Sequence, residues 1–353
     1  VTLLTALPDA ARQTWPPFVL VTGLLLIGAV AASDGLFEAV GARLARLPGG
    51  GLVLFGSLMT LVAAVTVVLN LDTSVVFLTP ILLHAARQRR VEETAFLYGA
   101  VFMSNSASLL LPGSNLTNLL VVGGHTSGGA FAGRMLPAWV AAVLVTTLVL
   151  AVWKWRALRA PAEGGGECPP IRRGLGLAGV AAVTVLVLVL ENPALPVLAV
   201  GIVVAIAQVI RRRVDLAAVR KAVNVFTLSA LFLFAVALGT LARIWGAPGR
   251  LLGSIGPWAT AWLGAGTAGA LNNLPAAVLL SSSPPLHVPA LLVGLDLGPN
   301  LVVTGALSAI LWLRVARAEH ARPSALTYSK VGIVLVPVSI TAALLALQFA
   351  GRS

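Results

Sequence analysis

Most of the 12 acidic residues in this 353-residue chain fall in loops or at the ends of apolar runs. Asp72 and Asp296 do not. Each interrupts an apolar stretch beside amides and hydroxyls, in Asn70-Leu71-Asp72-Thr73-Ser74 and in Asp296-Leu297-Gly298-Pro299-Asn300. A charge at a bilayer centre costs about 2.5–3.5 kcal/mol even on lenient insertion scales, so it persists where it is paired, hydrated or used. Neither stretch holds a Lys or Arg partner. Asp72, ringed by the neutral groups of Asn70 and Thr73, is therefore the stronger candidate for a proton-exchanging carboxylate, with Asp296 as its counterpart. The structural alternative is that each carboxylate caps the N-terminus of a half-helix.

The remaining polar groups in apolar surroundings suit ion or hydroxylated-solute binding rather than catalysis. Leu111-Pro112-Gly113-Ser114-Asn115-Leu116-Thr117-Asn118 divides the apolar region from Ala95 to Val122. Pro removes a backbone donor and Gly admits unwound conformations, and Ser114, Asn115, Thr117 and Asn118 can bond the freed backbone or a ligand. Asn105, Ser106 and Ser108 precede this break, either as site residues or as bonds between helices. Asn272 and Asn273, two adjacent amides in an apolar setting, must find partners, and Asn300 and Thr304 flank the second interruption. No nucleophile–base pair is evident. His84, His125, His287 and His320 show no ligand spacing, and the single Cys168 lies in a hydrophilic segment. No metal or other cofactor is expected, apart from a coupling proton or sodium ion.

The elements that must position these groups are membrane helices. Hydrophobic residues make up 58% of the chain and charged residues only 10%, with mean hydropathy +0.96, against about 25% charged in soluble domains. Unbroken runs such as 180–190 and 228–241 exclude the alternating segments of a β-barrel. The net charge of +12 comes from basic clusters between apolar spans, without the aromatic interleaving of a nucleic-acid surface. The expected fold is an all-α polytopic membrane protein.

Read in order, the first span runs from Pro17 to Ser33, after a mixed stretch Val1–Trp15 that lacks signal-peptide character. A loop with Arg43 and Arg46 follows. The halves 52–69 and 75–85, joined by the polar step 70–74, are too short for two comfortable spans and predict a re-entrant hairpin. Next come the broken span around 112–118 and a span 135–153. The second half offers spans 175–190, 197–210 and 223–241, then a second hairpin with its tip at 272–275. A span broken at 296–300 and a final span 326–349 close it. Each half thus repeats hairpin, broken span and intact span. This predicts two inverted repeats, 1–153 and 175–353, with a cytoplasmic linker 154–174 carrying Gly164-Gly165-Gly166 and five basic residues. The site is expected where the breaks meet.

Sidedness supports re-entrant hairpins. With the N-terminus outside, 19 of the 24 Lys and Arg residues fall on the cytoplasmic face. Arg12, Arg134, Arg243, Arg250 and Arg352 remain outside, and making either hairpin a simple crossing destroys this bias. Trp139, Trp153, Trp155, Trp258 and Trp312 fall near span ends, as interfacial anchors.

Taken together, the motifs resemble the arsenite-pump membrane proteins of the ion-transporter superfamily. The resemblance is carried by Asn70-Leu71-Asp72-Thr73-Ser74 through Pro80, by Ser106 through the Ser114-Asn115-Leu116-Thr117-Asn118 break, by Asn272-Asn273-Leu274-Pro275, by Gly294-Leu295-Asp296-Leu297-Gly298-Pro299 and by Lys330-Val331-Gly332-Ile333-Val334-Leu335. It implies a secondary transporter of the inner membrane, not an enzyme, that extrudes arsenite or antimonite. It also implies a homodimer and, in some relatives, a soluble ATPase subunit; no nucleic-acid partner is implied. Sodium/proton exchange and carriage of carboxylates or inorganic anions are the alternatives within the superfamily. The chain departs from the family pattern in three ways. It is expected to lack the first two helices. Asn105 stands where many relatives carry an aspartate. Val302-Val303-Thr304-Gly305-Ala306 replaces a Thr-Pro and Gly-Ser pattern.

Overall fold

The computed structural model describes residues 2–123, 127–159, 174–190 and 192–351, and among them every regular element is a helix. Most of the expected linker, with Cys168, and also His125 lie outside the described residues.

The chain opens with α1 (Leu3–Ser33), which begins well before the expected span and carries Pro8, Pro16 and Pro17 inside it. Proline frees a backbone carbonyl, a loss that neighbouring helices can make good in a bundle. The segment expected as a loop around Arg43 is α2 (Leu36–Ala45), helical because Leu36, Phe37, Ala39 and Ala45 form a buried face. Then α3 (Gly51–Val68) and α4 (Leu71–Gln88) make the first hairpin. Each arm has 18 residues, about 27 Å. The first is as long as expected, and the expectation of a short second arm is corrected, because Leu71–Ser74 and Ala86–Gln88 join the helix. The turn is only Leu69-Asn70, and Asn70 caps α4 by accepting from Thr73 N at 2.7 Å. Asp72 is therefore in the first turn of α4, not in the tip. At the open end, Arg89 reaches back to the carbonyls of Ala45, Leu47 and Gly49.

The first broken span is α5 (Thr94–Ala107), a single turn Pro112–Ser114 and α6 (Leu116–Val122). It is followed by α7 (Gly128–Trp153) and the short α8 (Trp155–Leu158). Leu158 is fully buried, so this part of the expected linker is anchored. After it come α9 (Leu175–Val189), α10 (Ala194–Ile210), α11 (Leu216–Val223), α12 (Val225–Trp245) and α13 (Ala247–Ser254). The second hairpin is α14 (Pro257–Leu271) and α15 (Asn273–Leu280), with Asn272 as the cap between them. The second broken span is α16 (Val288–Leu297), the turns Gly298–Leu301 and Val303–Gly305, and α17 (Leu307–Ala318), before α18 (Ala325–Ala350).

Five of these helices, α1, α3, α7, α12 and α18, are long and apolar enough to cross a membrane. Packing crosses the halves of the sequence. Helix α1 packs on α9, α10 and α12, whereas α4 packs on α17, α15 on α6 and α18 on α7. Close approach sets some glycines: a Cβ on Gly294 would run into Ala261 O, and one on Gly332 into Asn300 O. An aromatic cluster of Tyr98, Phe102, Trp312 and Tyr328 joins α5, α17 and α18. Trp312 is fully buried and donates to Leu97 O at 2.8 Å, which corrects its expected role as an interfacial anchor.

Candidate functional site

The two broken spans meet at their interruptions, and the polar residues there bond to one another. Helix α5 ends at Ala107 because the following Pro112 and Gly113 cannot continue it. This leaves Asn105 and Ser108 facing the second break. Asn105 Nδ2 donates to Asn300 Oδ1 at 2.8 Å, and Ser308 Oγ donates to Asn105 Oδ1 at 3.1 Å. Asp296 accepts from Asn115 Nδ2 at 2.8 Å and from Ser108 Oγ at 3.3 Å. Asn118 Nδ2 donates to the carbonyls of Ser108 and Leu111. All of these side chains are at most 2% exposed. Ser106 faces the other way, 2.8 Å from Thr146 on α7.

Asp296 lies in the last turn of α16 and, among the described residues, accepts only from side chains, so it caps no N-terminus there. A carboxylate at a helix C-terminus faces the unfavourable end of the dipole. Its amide and hydroxyl donors, and not the helix, hold it there.

The hairpin tips sit beside the breaks. Ser114 Oγ donates to Val67 O at 3.2 Å, joining the first break to the first tip. Asn272 Nδ2 donates to Thr304 O at 3.0 Å, doing the same in the second half. Thr304 itself is exposed and Asn272 half-buried, whereas Asn273 is buried. Asp72 is half-buried, and among the described residues no hydrogen bond joins it to the Asp296 cluster.

Among the described residues, several buried polar atoms on the first hairpin and on α6 have no hydrogen-bond partner. They are Asn70 Nδ2, Thr66 Oγ1 and Thr73 Oγ1 around the first tip, and Thr117 Oγ1 and Asn118 Oδ1 on α6. Burying a polar atom without a hydrogen bond costs on the order of 1–3 kcal/mol. A set of such atoms on segments that Ser114 ties together is the part of the cluster with bonding capacity to spare. Among the described residues no Lys or Arg bonds to these groups, and no cluster of His, Cys, Asp and Glu could hold a metal.

A second buried carboxylate escaped the sequence reading. Asp34, at the end of α1, accepts from Gly176 N at 2.8 Å and from Gln208 Nε2 at 2.7 Å. Its position at a span end concealed that α9 and α10 would close over it.

Over residues 3–311 the chain matches the family model described as CitMHS: Citrate transporter. The chain belongs to that family. The arsenical pump membrane protein of Escherichia coli (strain K12) is 26% identical over 381 residues, covering 97% of this chain and 88% of the relative. The silicon efflux transporter LSI3 of Oryza sativa subsp. japonica is 27% identical over 156 residues, 44% of this chain and 31% of that one. In fold, the chain is similar to the Alcanivorax borkumensis YdaH transporter, whose crystal structure is described as having an unusual topology. The TM-score is 0.64 at 18% identity, over 99% of this chain and 88% of the other. With its long apolar helices, this CitMHS-family chain is a multi-pass membrane transporter and not an enzyme.

Proposed function

We propose that the protein is a secondary transporter that exports a small, neutral, hydroxyl-rich oxyacid, arsenite or antimonite first, driven by the proton gradient or the membrane potential. The observation that carries this reading is the set of buried groups at Asn70, Thr73, Thr117 and Asn118 that have no partner, and no bonded basic residue, among the described residues. Arsenous acid is uncharged near neutral pH and presents hydroxyls, which amide and hydroxyl side chains bind well. A multiply charged carboxylate such as citrate would need cationic help that the cluster does not offer. One relative is named for arsenicals and another for silicon. Silicic acid, like arsenous acid, is a neutral hydroxylated oxyacid.

In this reading Asp72, Asn70, Thr73, Ser114, Thr117 and Asn118 form the binding part of the site. Asp296, Asn115, Asn105 and Asn300 hold the two breaks in register, and Asn272, Asn273 and Thr304 close the second tip. Both hairpins are re-entrant, because each tip bonds at the level of a break rather than beyond it. The halves 1–153 and 175–353 are inverted repeats around this site. The N-terminus is outside, the linker is cytoplasmic, and the protein sits in the inner membrane as a homodimer, with or without a soluble ATPase subunit.

The test is arsenite accumulation in cells lacking their own exporter, with and without the protein and beside Asp72→Asn. Lowered accumulation that depends on Asp72 supports the reading. Unchanged accumulation, with the protein present in the membrane, overturns it.

One observation favours a second reading. Thr73 Oγ1, Thr117 Oγ1 and Asn118 Oδ1 are hard oxygen donors of the kind a sodium ion takes. Sodium/proton exchange, with Asp72 as the exchanging carboxylate, is then expected as sodium-dependent proton movement in vesicles without arsenite flux.

A further inference from the structure

An apolar groove of about 260 Å³ lies between α1, α10 and α11, lined by Leu26, Ile202, Ile206, Ile210, Leu216 and Val219. Its walls are aliphatic, and they remain exposed: Ile206 by 53%, Ile210 by 75% and Leu216 by 56%. From Ile202 to Ile210 the groove runs about 12 Å along α10. One end of it is the turn that joins its two walls, Arg211-Arg212-Arg213. Arg220 follows the lining residue Val219 one position later on α11. All of these arginines are exposed, and none makes a side-chain hydrogen bond or ion pair among the described residues. The nearby acid, Asp215, is occupied in capping α11, where it accepts from Ala217 N at 3.2 Å.

We propose that this groove seats an acidic phospholipid, with an acyl chain along Ile202–Ile210 and its phosphate on the Arg211–Arg213 turn. Charge complementarity selects the headgroup. The position of the groove selects a lipid over a protein partner, because α10, a 17-residue apolar helix in a chain with five candidate membrane spans, presents Ile202, Val203 and Ile206 as an exposed apolar face. A basic cluster next to an apolar cleft at the cytoplasmic rim is the arrangement that holds anionic headgroups. A seated lipid would brace α10 and α11 against α1, the helix whose Gly28 faces Thr73 at the first hairpin.

The test is native mass spectrometry of the purified, detergent-solubilised protein exchanged with phosphatidylglycerol or with phosphatidylcholine. Wild type is expected to retain phosphatidylglycerol under activation that strips phosphatidylcholine. The combined Arg211→Gln, Arg212→Gln and Arg213→Gln variant should lose phosphatidylglycerol affinity by on the order of a hundredfold, at roughly fivefold per charge. Ile206→Trp, which fills the groove at an exposed position, should displace the lipid while leaving the arginines intact. Equal retention of the two lipids, or unchanged phosphatidylglycerol binding in the triple variant, overturns the proposal. So does stabilisation by inorganic phosphate alone to the same extent, and so does a lipid that Ile206→Trp fails to displace. Circular dichroism and monodispersity establish that each variant is folded.

Discussion

Asp296 and Thr73 stand at opposite extremes of hydrogen-bond satisfaction, and substitutions at the two should separate stability from transport. Asp296 accepts from Asn115 and Ser108, so Asp296→Ala strands two buried donors, at a cost of about 1–3 kcal/mol each. A lower thermal midpoint, with less protein recovered, is the expected result. Asp296→Asn keeps an acceptor of the same shape and should restore most of that midpoint. Thr73→Val removes a hydroxyl that has no partner among the described residues, so the midpoint should hold or rise. If that hydroxyl meets the solute, apparent affinity in vesicle uptake should fall by roughly tenfold, as for one lost hydrogen bond. Unaltered affinity would take Thr73 out of the site. The polar identity of these residues was legible in the sequence. Their division into bonded and unbonded groups was not, because Asn105 and Asn300 meet across 195 positions and no local pattern encodes that pairing.

Among the elements, the hairpins and breaks could be read in advance because Asn, Pro and Gly leave local marks. Asn70 and Asn272 cap the helices that follow them, and Pro112 and Pro299 stop the helices before them. Local composition misled elsewhere. The mixed stretch before Pro17 and the segment around Arg43 did not look helical, yet tertiary packing carried α1 and α2 through them. Position along a span also fails to say which way a side chain faces, which is how Trp312 looked like an anchor while filling a core. The approach of α18 to the second break rests on Gly332. A methyl group there meets Asn300 O, so Gly332→Ala should push the helix away and slacken the Asn105–Asn300 contact. Thermal denaturation and transport should fall together in this variant. A normal midpoint and full transport would mean that the break does not depend on that contact.

For the whole molecule, one end gathers Gln13, Leu120, Arg243 and Ser281, where Gln13 Nε2 donates to Leu120 O at 2.7 Å and Arg243 bonds to Gln13. The other end gathers Arg87 with Glu93 at 2.6 Å, and Lys154 with Glu92 at 3.4 Å. The orientation expected from the basic residues would put the first group outside and the second in the cytoplasm, and labelling tests that proposal. In a background without Cys168, Arg250→Cys should react with an impermeant maleimide in intact cells, and Arg213→Cys only after permeabilisation. The reverse pattern would invert the molecule.

Helix α1 is first in the sequence, yet its neighbours α9, α10 and α12 all come from beyond residue 174, and Asp34 clasps the start of α9. Neither half of the polypeptide can then bury these surfaces alone, and each holds faces that match the other's. Genes for 1–159 and 174–353 expressed separately should give products that are degraded, because each leaves apolar helix faces uncovered. Expressed in the same cell, the two fragments should find each other and restore export, as intragenic complementation. The peptide bonds between them would then matter for stoichiometry and timing of assembly rather than for the architecture itself.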